Sequence, residues 1–136
     1  MQKTSLSAGD IIGQMLSEDP EILGRANRLW PVVADEEAIK PYIIYRRSSM
    51  EMQPQKNVMG AETVNVEVQC YADTYEDSVE LAEAVKRCLD HRQCTIEYQD
   101  GEETKTLTMR SCTLVNSSET WEHDAYAQGL LFNIKI

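Results

Sequence analysis

From Thr63 to Tyr71 the chain alternates without a break: Val64, Val66, Val68 and Cys70 take one set of positions, Asn65, Glu67, Gln69 and Tyr71 the other. Successive side chains on a strand point to opposite faces, so this segment predicts a strand with one apolar and one polar side. Such a two-faced strand suits an antiparallel sheet resting one side on a core, and branched valines suit the buried side. The rest of the chain must bring an apolar layer against it.

Two helices are predicted to supply that layer. Thr74-Tyr75-Glu76-Asp77 has a capping pattern, and Val79, Leu81, Ala82, Val85, Cys88 and Leu89 follow as an apolar stripe at helical spacing. Glu80, Glu83, Lys86, Arg87 and Asp90 fill the other face, with Glu83 four residues before Arg87 as a surface pair. Earlier, Ser7-Ala8-Gly9-Asp10 reads as a helix start in which the serine oxygen caps an orphan N–H; Ile11, Ile12, Met15 and Leu16 follow, and Asp19-Pro20 stops the helix. Gly9 and Gly13 weaken this helix, so packing must hold it.

The remaining segments read as strands and loops. Leu29 to Val33 is a short extended piece, and an acidic loop at Asp35-Glu36-Glu37 leads to a strand opening after Pro41, Tyr42 to Arg46. Glu51 to Gly60 has no periodicity and is expected to be a loop. Cys94 to Tyr98 and Thr104 to Met109 flank Asp100-Gly101, a strong hairpin signal. A polar turn is expected at Asn116-Ser117-Ser118-Glu119, before a last alternating strand through Tyr126, Gln128, Leu130, Phe132, Ile134 and Ile136. The order is helix, strands, helix, strands in 136 residues with no linker, which predicts one α+β domain over 1–136: an antiparallel-rich mixed sheet with two helices packed on one face.

Chemistry is harder to find. The four cysteines, Cys70, Cys88, Cys94 and Cys112, form no C-x-x-C pair, so a zinc site is not expected and they read as reduced, mostly buried thiols. Asp and Glu outnumber Lys and Arg 23 to 13, a formal net charge of −10, and only Arg46-Arg47 are adjacent basic residues; this argues against nucleic-acid binding. Of the two histidines, His91 reads as a cation at a helix C-terminus, and His123, between Glu122 and Asp124, as part of a solvated strand-end turn. Glu102-Glu103 and Asp35-Glu36-Glu37 lack the spacing of a calcium loop, and no glycine pattern matches a phosphate cradle. The tyrosines, without a basic track, read as residues at core margins or at a protein interface. No catalytic residue, cofactor or metal ligand is therefore assigned, and with no apolar run of membrane-spanning length the expected location is the cytoplasm.

Leu29-Trp30-Pro31, then Lys40-Pro41-Tyr42-Ile43-Ile44-Tyr45, then Val64-x-Val66-x-Val68-x-Cys70-Tyr71-Ala72 followed by Thr74-Tyr75-Glu76-Asp77 and an amphipathic helix, resemble in order and spacing the tail-terminator or tail-completion proteins of long-tailed bacteriophages and prophages. The resemblance runs from about Ile11 to the C-terminus. It implies a non-enzymatic subunit of a homo-oligomeric ring, typically a hexamer, made in the host cytoplasm and carried in the virion tail. Its implied partners are the tail-tube protein and a neck or head-completion protein. A ring needs a head-to-tail contact that closes on itself. Met50, Met52 and Met59, adaptable side chains among polar residues, are the expected interface positions. Acidic residues facing a ring's channel would keep passing DNA from sticking. Three alternatives stand beside this: a head-tail adaptor in the neck, an oligomerising scaffold outside phages, and a small enzyme or ligand-binding domain using His123 with Glu122 or Asp124 in a deep pocket next to Trp121.

Overall fold

The computed structural model describes residues 1–52 and 62–136, with side chains described at 1–50 and 62–136. In chain order it contains a 3-10 turn at Ser5–Ser7, α1 (Ala8–Glu18), α2 (Pro20–Arg25), β1 (Arg28–Pro31), β2 (Tyr42–Met52), β3 (Glu62–Ala72), α3 (Tyr75–Leu89), β4 (Cys94–Asp100), β5 (Glu103–Met109), β6 (Ser111–Glu122) and β7 (Ala125–Lys135). Five strands form one sheet in the order β1-β2-β3-β7-β6, and β4 and β5 form a separate hairpin. Only β1 and β2 run parallel in the five-stranded sheet. This is the α+β, antiparallel-rich architecture expected from the sequence.

The alternating segment is β3, the central strand. Val64, Val66 and Val68 sit opposite Ile134, Phe132 and Leu130 of β7, and Cys70 sits opposite Ile43 of β2. Ile11, Ile12 and Leu16 of α1 and Leu81, Val85 and Leu89 of α3 bury themselves against this face. Each such large side chain withdrawn from water stabilises the fold by roughly 1.5–3 kcal/mol before ordering costs. Ile96, Leu107 and Met109 of the β4–β5 hairpin join the same core.

Local chemistry explains the element boundaries. Thr74 Oγ1 accepts a hydrogen bond from Asp77 N (3.1 Å), Glu76 and Asp77 occupy the first turn of α3, and Lys86 and Arg87 the last, as the helix dipole favours. Gly13 sits inside α1 because Tyr45 of β2 approaches there: a Cβ would lie 2.6 Å from its hydroxyl oxygen.

Five expectations need correction. Asn116 to Glu119 is not a turn but the middle of β6, paired with Gln128 to Leu131. The turn falls at His123-Asp124, both with positive φ (52° and 55°), between the paired Glu122 and Ala125. Next, Asp19-Pro20 ends α1 and at once begins a third helix: Asp19 Oδ1 accepts from Glu21 N (2.9 Å) and Ile22 N (3.2 Å), with Pro20 in the first turn of α2. β2 runs on to Met52, so residues 51 and 52 belong to a strand rather than a loop. Ser7 makes no side-chain cap; Thr4 Oγ1 instead accepts from Leu6 N at the preceding 3-10 turn. Finally, Arg87 forms its ion pair with Glu21 of α2, which ties two helices together, rather than with Glu83 on its own helix.

Candidate functional site

The two faces of the sheet differ in what covers them. Opposite the helices, the side chains of Arg46, Glu67, Gln69, Tyr71 and Glu122 form a polar chain across three strands. Arg46 Nη2 lies 3.0 Å from Glu67 Oε2, Gln69 Nε2 donates to Glu67 Oε1, and the Tyr71 hydroxyl sits 2.9 Å from Glu122 Oε1. Tyr42 stacks on Tyr71 with ring centroids 5.0 Å apart. Burial, then the hydrogen bond to the Glu122 carboxylate, pushes the Tyr71 hydroxyl well above the ordinary tyrosine range. Tyr71 is thus a fixed neutral donor, which suits a structural strut better than proton transfer near neutral pH.

His123 is exposed at the β6–β7 turn and lines an open concavity of ≈ 510 Å³ with Lys40, Tyr42, Tyr71 and Asp124. Glu122 is engaged by Tyr71, and the Asp124 carbonyl accepts from Lys40 Nζ at 2.7 Å. Among the described residues His123 has no hydrogen bond or ion pair to either acid, so the carboxylate–histidine pair considered from the sequence is not assembled here. His91 lies two residues beyond the end of α3, with φ 58°; its N–H bonds Cys112 O (2.8 Å), and its Nε2 stands 3.5 Å from Asp90 Oδ2. Among the described residues no group of three or more His, Cys, Asp or Glu side chains is gathered as metal ligands would be, and no helix is long and apolar enough to cross a membrane.

Beside Trp121 the structure has a shallow aromatic depression of ≈ 230 Å³ instead of a deep pocket. Trp121 and Tyr126, paired across the turn, meet edge to face at 4.9 Å, and Tyr75 at the start of α3 meets Tyr126 the same way at 6.0 Å. The Tyr75 hydroxyl donates to Glu119 Oε2 (3.0 Å), which also accepts from Gln128 Nε2 (3.1 Å). Trp121 and Tyr75 are more than half exposed. Beyond β1, Val32, Val33 and Ile39 are also exposed; Ile39 lines a depression with Arg28, whose guanidinium stacks on Trp30 at 4.2 Å, and Val33 lines the concavity that holds His123. Trp30 Nε1 is buried without a hydrogen-bond partner among the described residues.

Of the three methionines expected at an interface, Met50 is half-buried against the main core, where its sulfur accepts from Ser5 Oγ (3.4 Å). The side chain of Met52, and Met59 altogether, lie outside the described residues. The aromatic depression has a local signal in the sequence: Trp121 and Tyr126 flank a pair of residues that tolerate left-handed backbone, His123 and Asp124.

No protein-family model matches the chain, and no curated protein matches it by sequence. Among solved structures, a chain from the virion of a native gene transfer agent (GTA) particle superposes with a TM-score of 0.70, covering 98% of each chain at 12% sequence identity. At that identity what is shared is the fold.

Proposed function

We propose that this chain is a structural subunit of a phage or phage-derived particle, which closes the tail tube as a ring and offers the neck a docking surface. The observation that carries the reading is the end-to-end likeness to a chain of a gene transfer agent virion, 98% of each covered. It is an independent support beside the resemblance in residue order to tail terminators, because at 12% identity the superposition owes little to sequence. The geometry of the surface agrees: its polar chain is locked by hydrogen bonds and its aromatic groups are exposed, an arrangement that serves complementarity between proteins better than turnover of a substrate. On this reading Met50, Met52 and Met59 are positions that contact the tube or a neighbouring subunit.

Deleting the gene and imaging the particles by electron microscopy tests the role. Loss of a terminator leaves tail tubes of uncontrolled, excessive length; complementation with the intact gene restores a uniform length. Tails of normal length that fail to join heads would instead assign the chain to the neck. Normal particles would remove the proposal.

A further inference from the structure

We infer that copies of this chain join head to tail, the aromatic surface at the β6 edge of one copy receiving the Val32-Val33 corner at the β1 edge of the next. The inference rests on the ring reading above and supplies the two surfaces that it lacks.

Scattered exposed apolar residues need no explanation, but contiguous groups of them do. Here there are two groups. At one edge of the sheet Trp121 is 60% and Tyr75 51% exposed; beyond the other, the adjacent Val32 and Val33 are 67% and 70% exposed. Trp and Tyr are the residues that most often dominate binding energy at protein interfaces.

The corner carries a second anomaly. Val33 N–H bonds Pro31 O (2.7 Å), which closes a three-residue turn with Val32 at its centre, and Val32 takes a φ of 67°. That turn is rare, and a β-branched residue with positive φ is an outlier even among non-glycine residues of that kind. In a lone copy, neither burial nor backbone preference favours valine at this position. A neighbour that covers the side chain would.

The β6 edge is also incomplete by itself. β6 is 12 residues long and pairs with β7 alone; from Asn116 to Glu122 it carries no lysine or proline, and its charged residues there are Glu119 and Glu122. β1, at the opposite edge, is 4 residues long. Asp35, Glu36 and Glu37 make the corner acidic as a whole, but one basic group there can meet one acid of the other edge. Among the described residues Arg28 has no carboxylate partner, while Glu119 accepts only from the neutral donors Tyr75 and Gln128.

Two different surfaces, one built on the β6 edge with α3 and one on the turn that follows β1, make an asymmetric contact. Such a contact is heterologous: each copy keeps one free surface after every addition, until the series closes. A twofold dimer would instead match one surface with itself.

The test uses the full chain with Trp121→Ser or Val33→Asp, both at exposed positions, and Leu23→Asp on α2 as a control of comparable exposure. Sedimentation velocity over a broad concentration range reads the association, and circular dichroism checks the fold. Each interface variant should associate at least about thirtyfold more weakly than the wild type, the effect of a hot-spot side chain, with Leu23→Asp unchanged. The decisive sample is an equimolar mixture of the two interface variants. One intact junction then remains possible, and the mixture should form a two-copy complex and nothing larger. The inference is overturned if either variant assembles as the wild type does, if Val33→Asp forms dimers alone, if Leu23→Asp is equally impaired, or if the wild type remains monomeric throughout. None of these outcomes touches the tail-length phenotype, which tests the capping role separately.

Discussion

Cys70 lies on the apolar side of β3 opposite Ile43, and burial pushes its thiol far above the ordinary range. Cys88 and Cys112 are each pushed up to about 12, by burial first and then by Asp19 and Asp90 respectively. The reactive species is the thiolate, and a group of pKa 12 has only about one part in ten thousand in that form at pH 8. Cys94, which opens β4, is half-exposed and raised by burial and then by Glu18. Iodoacetamide at pH 8, followed by peptide mass spectrometry, should therefore modify Cys94 first and leave the other three largely intact, with all four modified in denaturant. Equal rates at Cys94 and Cys112 would mean that β6 opens locally, contrary to the packing of Cys112 in the core.

At the scale of elements, the sequence is readable where one face of a segment meets the core and the other meets water. β3 and α3 fulfil that condition, and their periodicity places Val66 and Leu81 correctly in the same core. Beyond the core's limit the rule loses its grip: Ser117, Ser118 and Glu119 are exposed although they lie in a strand, so their polarity looks like that of a turn. α2 was hidden for a different reason. Asp19 ends one helix and caps the next, and a proline that stops a helix from its N-terminal side is equally suited to start one. The aromatic surface joins Tyr75 to residues more than 40 positions away, a non-local contact that no spacing encodes. The β6–β7 turn is the element most open to a direct check. Both of its central residues hold left-handed backbone, a two-residue hairpin geometry that prefers glycine at its second position, and Lys40 holds Asp124 only through the backbone carbonyl. Asp124→Gly should thus stabilise the protein by about 0.5–1 kcal/mol, relief of left-handed strain outweighing the added chain entropy. In a thermal melt that is a rise of roughly 2–5 °C. A lower midpoint would show that the Asp124 side chain, not its carbonyl, secures the turn.

Over the whole molecule the largest opposing force to assembly is charge. Each copy carries a formal net charge of −10, so every addition to a growing assembly brings like charges together. The contact inferred above is mainly apolar, with one Arg–Glu match per junction, and apolar contacts gain nothing from low salt. Repulsion between whole copies acts over the screening length, about 30 Å at 0.01 M salt and well under 10 Å at 0.3 M. Two copies whose centres are separated by about one molecular diameter lose most of their mutual repulsion over that range, an effect worth roughly hundred- to thousandfold in the association constant. Sedimentation at 0.01 M and 0.3 M NaCl should accordingly show tighter association at the higher salt. A contact built from many ion pairs would respond in the opposite sense, since screening weakens the attraction at the interface itself. Weaker association at 0.3 M would therefore shift the joint between copies from the apolar corners to charged surfaces elsewhere on the chain.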